Sequence, residues 1–135
     1  MKIVIDTNVL ISAMYFGGNP RKLVRLLLKD AFDAFANEGI VTEYIESTDE
    51  FMEKYEDKLA DIALPDIISK MKQIEPVADV HVCRDPDDDK FIGCALDSKS
   101  KYIVSGDKDL LSRGSHENVE IVTVADFLRD NFPDE

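Results

Sequence analysis

The chain has 135 residues, of which 28 are acidic and 16 basic, giving a formal charge of -12. That length fits a single domain spanning residues 1–135, able to bury roughly two-thirds of the surface its unfolded form exposes. Such a charge excludes a protein that grips a phosphate backbone with a broadly basic surface.

Residues 2–5 form a short Ile/Val run that reads as a buried strand, and Asp6-Thr7-Asn8 follow at its end. A helix is predicted over 8–15, and Gly17-Gly18-Asn19-Pro20 breaks it, with Asn19-Pro20 placed to open a second helix over 21–29. Residues 32–36 read as a second strand, because they fall between two helical patterns and end at Asn37. The longest helix is expected over 38–55, carrying Ile40, Val41, Tyr44, Ile45, Thr48, Phe51, Met52 and Tyr55 on one stripe. Leu64-Pro65 interrupts the pattern, and 66–74 reads as a short amphipathic helix. A third strand over 77–82 runs into the acid-rich Asp85-Pro86-Asp87-Asp88-Asp89-Lys90, followed by a helix over 88–98. The fourth strand, 102–104, ends in Ser105-Gly106-Asp107; after a loop, a fifth strand over 119–122 and a helix over 124–131 close the chain.

Strands alternating with helical crossovers imply a parallel sheet with helices on both faces, hence an α/β fold. Cys83 and Cys94 are the only cysteines and lack metal-ligand spacing, which predicts reduced thiols and a cytoplasmic protein. No apolar run approaches the roughly 18 residues of a membrane span, and Asp6 interrupts the first apolar stretch, so neither a membrane segment nor a signal peptide is expected.

Acid follows the first, third and fourth of these strands, at Asp6, at Asp85 to Asp89 and at Asp107. In an open parallel sheet the carboxyl ends of the strands share one edge, where ligands bind, so these acids would meet in one pocket. Clustered carboxylates raise one another's pKa unless cations sit among them. Hard oxygen donors without His or Cys favour magnesium or manganese over zinc. Such a site can act on phosphate esters, and the cations would let a polyanion approach an acidic protein. Taken singly, each acid has a plainer explanation as a helix N-cap, a turn residue or a solvated helix face.

The combination Ile5-Asp6-Thr7-Asn8-Val9-Leu10-Ile11, Asp85-Pro86-Asp87-Asp88-Asp89-Lys90-Phe91 and Tyr102-Ile103-Val104-Ser105-Gly106-Asp107-Lys108-Asp109-Leu110-Leu111 resembles the PIN-domain nucleases, in particular the toxins of toxin-antitoxin pairs. The resemblance covers nearly the whole chain and implies a three-layer α/β/α sandwich around a parallel sheet of four to five strands. It also implies an endoribonuclease that holds magnesium or manganese with four acids. Asp6 matches the first acid. Glu43 fits the register of the second without a gap, with Glu46 three residues on as the alternative. The third acid, seven residues before Ala95, is Asp88, and the fourth is Asp107. Asn8 and Ser105 would support them through hydrogen bonds. An RNA substrate, an antitoxin partner and a homodimer follow from the same likeness.

Other readings meet specific obstacles. A haloacid-dehalogenase phosphatase needs Asp two residues after its nucleophile, where this chain has Asn8, and a receiver domain needs paired acids after its first strand. A PIN scaffold kept only as a binding module would suit the charge of -12, yet all four acid positions are filled. His81 and His116 have no partner at catalytic spacing and read as structural or exposed. Arg21, Arg25 and Lys29 share one helical face, available to solvent, RNA phosphates or an acidic partner.

Overall fold

The computed structural model describes residues 1–135. Strand β1, Lys2–Ile5, lies at the middle of the sheet, and Ile3, Val4 and Ile5 are all fully enclosed. Successive strand residues point to opposite faces, so three buried neighbours require cover on both sides. Each such side chain contributes about 1.5–3 kcal/mol through burial.

After β1 come α1 (Thr7–Tyr15), α2 (Gly18–Leu28), β2 (Asp33–Ala36), α3 (Glu38–Lys54), α4 (Leu64–Ser69) and β3 (Lys72–Gln73). A 3-10 turn (Pro86–Asp88) leads into α5 (Asp89–Ser98), followed by β4 (Tyr102–Val104), α6 (Lys108–Arg113), β5 (Ser115–His116), β6 (Val119–Val122) and α7 (Val124–Asn131). The sheet order is β3-β2-β1-β4-β6-β5, parallel throughout except for the β5–β6 edge. Five parallel strands between helices make the expected α/β sandwich. The chain winds outward from β1 to β3, then returns past β1 to lay down β4 and β6. Strand order therefore reverses between β1 and β4, and at such a switch point a crevice opens at the carboxyl edge.

A single cluster of 32 buried apolar residues forms the core. Helix α5 packs across β1, β2 and β4, while α1 lies against α2 and α3. Of the apolar stripe on α3, Ile40, Tyr44 and Thr48 are buried, but Ile45, Met52 and the capping Tyr55 stay exposed. Tyr15 and Phe51 meet at 4.5 Å where α1 and α3 cross.

Several boundaries differ from the sequence expectation. No strand forms over 77–82: Asp97 accepts hydrogen bonds from the Val77 and Ala78 amides, Asp89 from those of Val82 and Cys83, and Val77 is 81% exposed. Carboxylates thus take the N–H groups that a neighbouring strand would need. The third strand is instead the two-residue β3, in a segment expected to continue the helix; α4 stops at Ser69, and Phe35 and Ala36 pair with Lys72 and Gln73. Helix α2 begins at Gly18, with Gly17 at its N-cap at φ 85, so Asn19-Pro20 lie inside the first turn. Helix α6 and strand β5 occupy the stretch read as loop. Arg21 is not part of a free basic face: its guanidinium bonds the Ala13 carbonyl at 2.9 Å and pairs with Asp61 at 2.5 Å.

Candidate active site

Parallel pairing of β1 with β4 sets Ile5 beside Val104, and the ladder continues one step beyond, from the Asp6 amide to the Val104 carbonyl at 3.0 Å. The next residues of the two strands, Asp6 and Ser105, are consequently side by side. Ser105 is wholly buried; its hydroxyl donates to Asp6 Oδ2 at 2.6 Å and accepts from the Asp107 amide at 3.0 Å. One hydroxyl thereby ties the first acid to the backbone of the fourth.

Asp6 is 6% exposed and uses Oδ1 to accept the Thr7 amide at 2.8 Å, capping α1. The cap role and the site role coexist in this residue. Burial raises the Asp6 pKa, and the charges of Glu43 and Asp107 raise it further against the lowering effect of its two hydrogen bonds. Asp107 likewise caps α6, accepting the Asp109 amide at 2.9 Å with one oxygen.

Glu43 arrives from α3. Tyr44, fully buried, anchors that helix at the strand end by donating its hydroxyl to the Ile5 carbonyl, and its own pKa is driven well up by burial. Glu43 Oε2 accepts the Thr7 hydroxyl, and Oε1 lies 2.7 Å from Lys90 Nζ. Glu46 is exposed and makes no polar contact with the other acids. Of the two candidates, Glu43 is the one beside Asp6 and Asp88, while Glu46 faces solvent.

The acid run from Asp85 divides its labour. Asp85 caps the 3-10 turn through the Asp87 amide, and Asp89 holds the Val82 and Cys83 amides. Asp88 makes no side-chain hydrogen bond. Its pKa rises from 3.8 to about 6, through burial first and then the charges of Asp107, Asp6, Asp85 and Glu43. Four acids separated by up to 101 positions therefore act on one another across a single cleft at the switch point. Asp88 reaches it from the start of α5 rather than from a strand end.

Asn8 is exposed, makes no hydrogen bond and lines the groove between α1 and α3. Its neighbour Thr7, by contrast, contacts two of the acids, donating its amide to Asp6 and its hydroxyl to Glu43. Thr7, Tyr44 and Lys90 are the residues that sequence reasoning passed over. Thr7 carried a signal, standing between Asp6 and Asn8, and so did Lys90, the sole cation of the acid run; Tyr44 looked like any other member of the α3 stripe. On the far side of Asp88, Arg84, Ser112 and Arg113 line a groove with Asp109, and Arg113 has no ion-pair partner.

The PIN domain family profile matches residues 2–109, a stretch holding all four acids. This chain belongs to the PIN-domain family. It is also 37% identical over 117 residues to an uncharacterized protein of Methanocaldococcus jannaschii, an alignment covering 83% of this chain and 74% of that one. PIN domains are generally nucleases that use divalent metals. The donor set of this PIN domain, all carboxylate oxygen with no His or Cys, suits magnesium or manganese by its chemistry. No three His, Cys, Asp or Glu side chains are near enough to grip an ion directly between them. Cys83 and Cys94 are free thiols pushed up to about 12 by burial and neighbouring carboxylates, so they offer no thiolate. No helix is long and apolar enough to cross a membrane.

Proposed function

We propose that this PIN domain is a magnesium- or manganese-dependent endoribonuclease, with Asp6, Glu43, Asp88 and Asp107 as its acidic centre. The observation that carries this is the convergence of four carboxylates on one cleft, three of which help raise Asp88 to about 6. Folding them together opposes their mutual repulsion, and a bound cation relieves it. A divalent ion held there by Asp6, Glu43, Asp88 and Asp107 would supply Lewis-acid polarisation of a phosphoryl oxygen and a water of lowered pKa. The protein's part is positional. Ser105 and Thr7 fix the Asp6 carboxylate from two sides, Thr7 also orients Glu43, and Asp88 keeps both oxygens free of intramolecular bonds.

RNA is a polyanion and the chain carries -12. Arg84 and Arg113 beside Asp88 give flanking phosphates a local landing place despite that charge. Cleavage would leave a 5'-phosphate and a 3'-hydroxyl, as the family likeness implies. The toxin reading rests on the likeness to the toxin branch, with an antitoxin as partner and reduced cytoplasm as setting. A homodimer has surface to use in Phe16, Ile45 and Met52, exposed by 59%, 46% and 52%.

The deciding experiment compares wild type with Asp6→Asn on labelled RNA, with and without magnesium, alongside calorimetric magnesium titration. Metal-dependent cleavage lost in the variant is the expected result. The spacing of the acids lends some weight to a second reading, a non-catalytic RNA- or protein-binding module. Magnesium binding without cleavage across a broad substrate panel would favour that module.

A further inference from the structure

Where the first turn of α3 and one side of α5 face residues 76–80, the chain forms a cavity of about 320 Å³ next to the acidic cleft. That volume lies at the small end of the range for ligand pockets. Lys90 is shared between the two: it lines the cavity, and its ammonium lies 2.7 Å from Glu43 Oε1. Two glycines keep the cavity open. A Cβ on Gly39 would lie 3.7 Å from Lys90 Cδ, and one on Gly93 would lie 3.6 Å from the Ala78 carbonyl oxygen. Both are ordinary contacts, so alanine would fit either helix, where glycine costs stability, and would only take up room. Asn37 at the cavity wall is 4% exposed, and its Oδ1 is spent on the Ile40 amide at 3.0 Å. Its Nδ2 has no partner in the chain. Because no fully enclosed side-chain nitrogen or oxygen goes unpaired, that donor must open onto the cavity. The Glu38 and Gly39 amides, in the first turn of α3, are unpaired as well.

We infer that this cavity receives an unpaired base of the RNA substrate, a guanine, beside the phosphate held in the cleft. The inference rests on the nuclease reading above and names what its substrate carries. A phosphate is excluded by charge: four carboxylates, Glu38, Asp79, Asp89 and Asp97, line the cavity, and the ammonium of Lys90 is turned to Glu43. A basic side chain would suit those carboxylates but would leave the Asn37, Glu38 and Gly39 donors unmet, at a cost for each buried one. A neutral base offers donors and acceptors on the same edge and is read in this way when it is splayed out of a single strand. Asp97 spends both oxygens on the Val77 and Ala78 amides, Asp89 holds those of Val82 and Cys83, and Asp79 pairs with His81. Glu38 makes no polar contact within the chain, so its carboxylate is the uncommitted acceptor. Of the four RNA bases only guanine sets two adjacent N–H donors beside a carbonyl, which matches a free carboxylate next to amide donors. Val80 and the stem of Lys90 give its flat faces apolar cover.

Uncharged nucleosides are the probe, since they carry no phosphate for the acidic protein to repel. The intact, isotope-labelled chain, free of metal, is titrated with guanosine, adenosine, cytidine and uridine while its backbone amide resonances are followed. Guanosine should move Gly39, Gly93 and residues 76–80 at lower concentration than the other three. Asn37→Asp keeps the helix cap and replaces the Nδ2 donor by an oxygen, and Gly93→Ala fills part of the cavity. Each should weaken guanosine binding by about tenfold, the effect of one unmade hydrogen bond or a lost fit. Circular dichroism melting should find both variants folded, with Gly93→Ala melting no lower than wild type. With magnesium, wild type should cut a mixed-sequence RNA at a fixed offset from guanine, and both variants should cut it with that preference lost. No response to any nucleoside, or the same guanosine response in both folded variants, would overturn the base pocket. So would a response to an arginine peptide in place of the nucleosides, and an equal response to all four would overturn the choice of guanine. If the pocket fails while wild type still cuts RNA with metal and Asp6→Asn does not, the nuclease reading survives alone. Guanosine binding by a chain that cuts no RNA would overturn that reading and leave the pocket.

Discussion

Replacing Asp88 by Asn should stabilise the metal-free protein at neutral pH while removing nuclease activity. The folded chain holds this carboxyl at about 6 against 3.8 for a free one. Each tenfold change in proton affinity is worth about 1.4 kcal/mol, which would put the cost of ionising Asp88 near 3 kcal/mol with no screening. Asp88 is only partly covered, and solvent screening reduces the figure to about 1.5 kcal/mol. Its favourable position at the start of α5 offsets about 0.5 kcal/mol of that through the helix dipole, so about 1 kcal/mol should remain. The sign follows from the protons bound. Between pH 3.8 and about 6 the folded state binds more than the unfolded state, so stability falls as pH rises through that window and stays lowered above it. Asn has no such penalty. Urea unfolding of both proteins in chelator, followed by circular dichroism from pH 4 to pH 8, should give curves that nearly meet at the acid end and separate by about 1 kcal/mol at the other. A variant less stable than wild type at pH 7.5, or a gap that does not change with pH, would refute the claim that Asp88 is held against its neighbours' charge.

Ser105→Ala removes a charge-assisted hydrogen bond to a buried carboxylate and should destabilise the chelated protein by about 2 kcal/mol at pH 7.5, read from the same unfolding curves. Its effect should shrink toward acid pH as Asp6, whose pKa is already raised, takes up a proton. Combined Arg84→Ala and Arg113→Ala should raise KM for single-stranded RNA several-fold and flatten the salt dependence of binding by roughly one phosphate contact per arginine, with kcat little changed. A fall in kcat at constant KM would mean that these arginines act on the reacting phosphate rather than on its neighbours.

The strand ends that bear Asp6, Ser105 and Asp107 were legible because an apolar run followed at once by acid has few physical interpretations. The path of the chain between residues 74 and 88 was not. An alternating Val77-Ala78-Asp79-Val80-His81-Val82 run looks the same whether its amides bond to a strand or to the carboxylates of Asp97 and Asp89. Only the tertiary fold decides between them. Motif register singled out Asp88 from its neighbours, and the hydrogen bonds supply a physical reason: Asp85 and Asp89 are spent on local structure. Asn8 and Thr7 were interchangeable on chemistry alone. The first turn of α1 separates them, leaving Thr7 buried and Asn8 facing out.

The two halves of the cleft are mounted differently. Asp6 and Ser105 continue strands in the middle of the sheet, so their amides can exchange with deuterium only when the core itself opens. Asp88 follows a stretch with no ladder of its own, pinned by the side chains of Asp89 and Asp97. The floor is thus as rigid as the domain, whereas the wall hangs from carboxylate pegs and can adjust to what lies between them. Ligand binding would then register as slowed exchange in residues 77–89, against a background at Asp6 that scarcely changes.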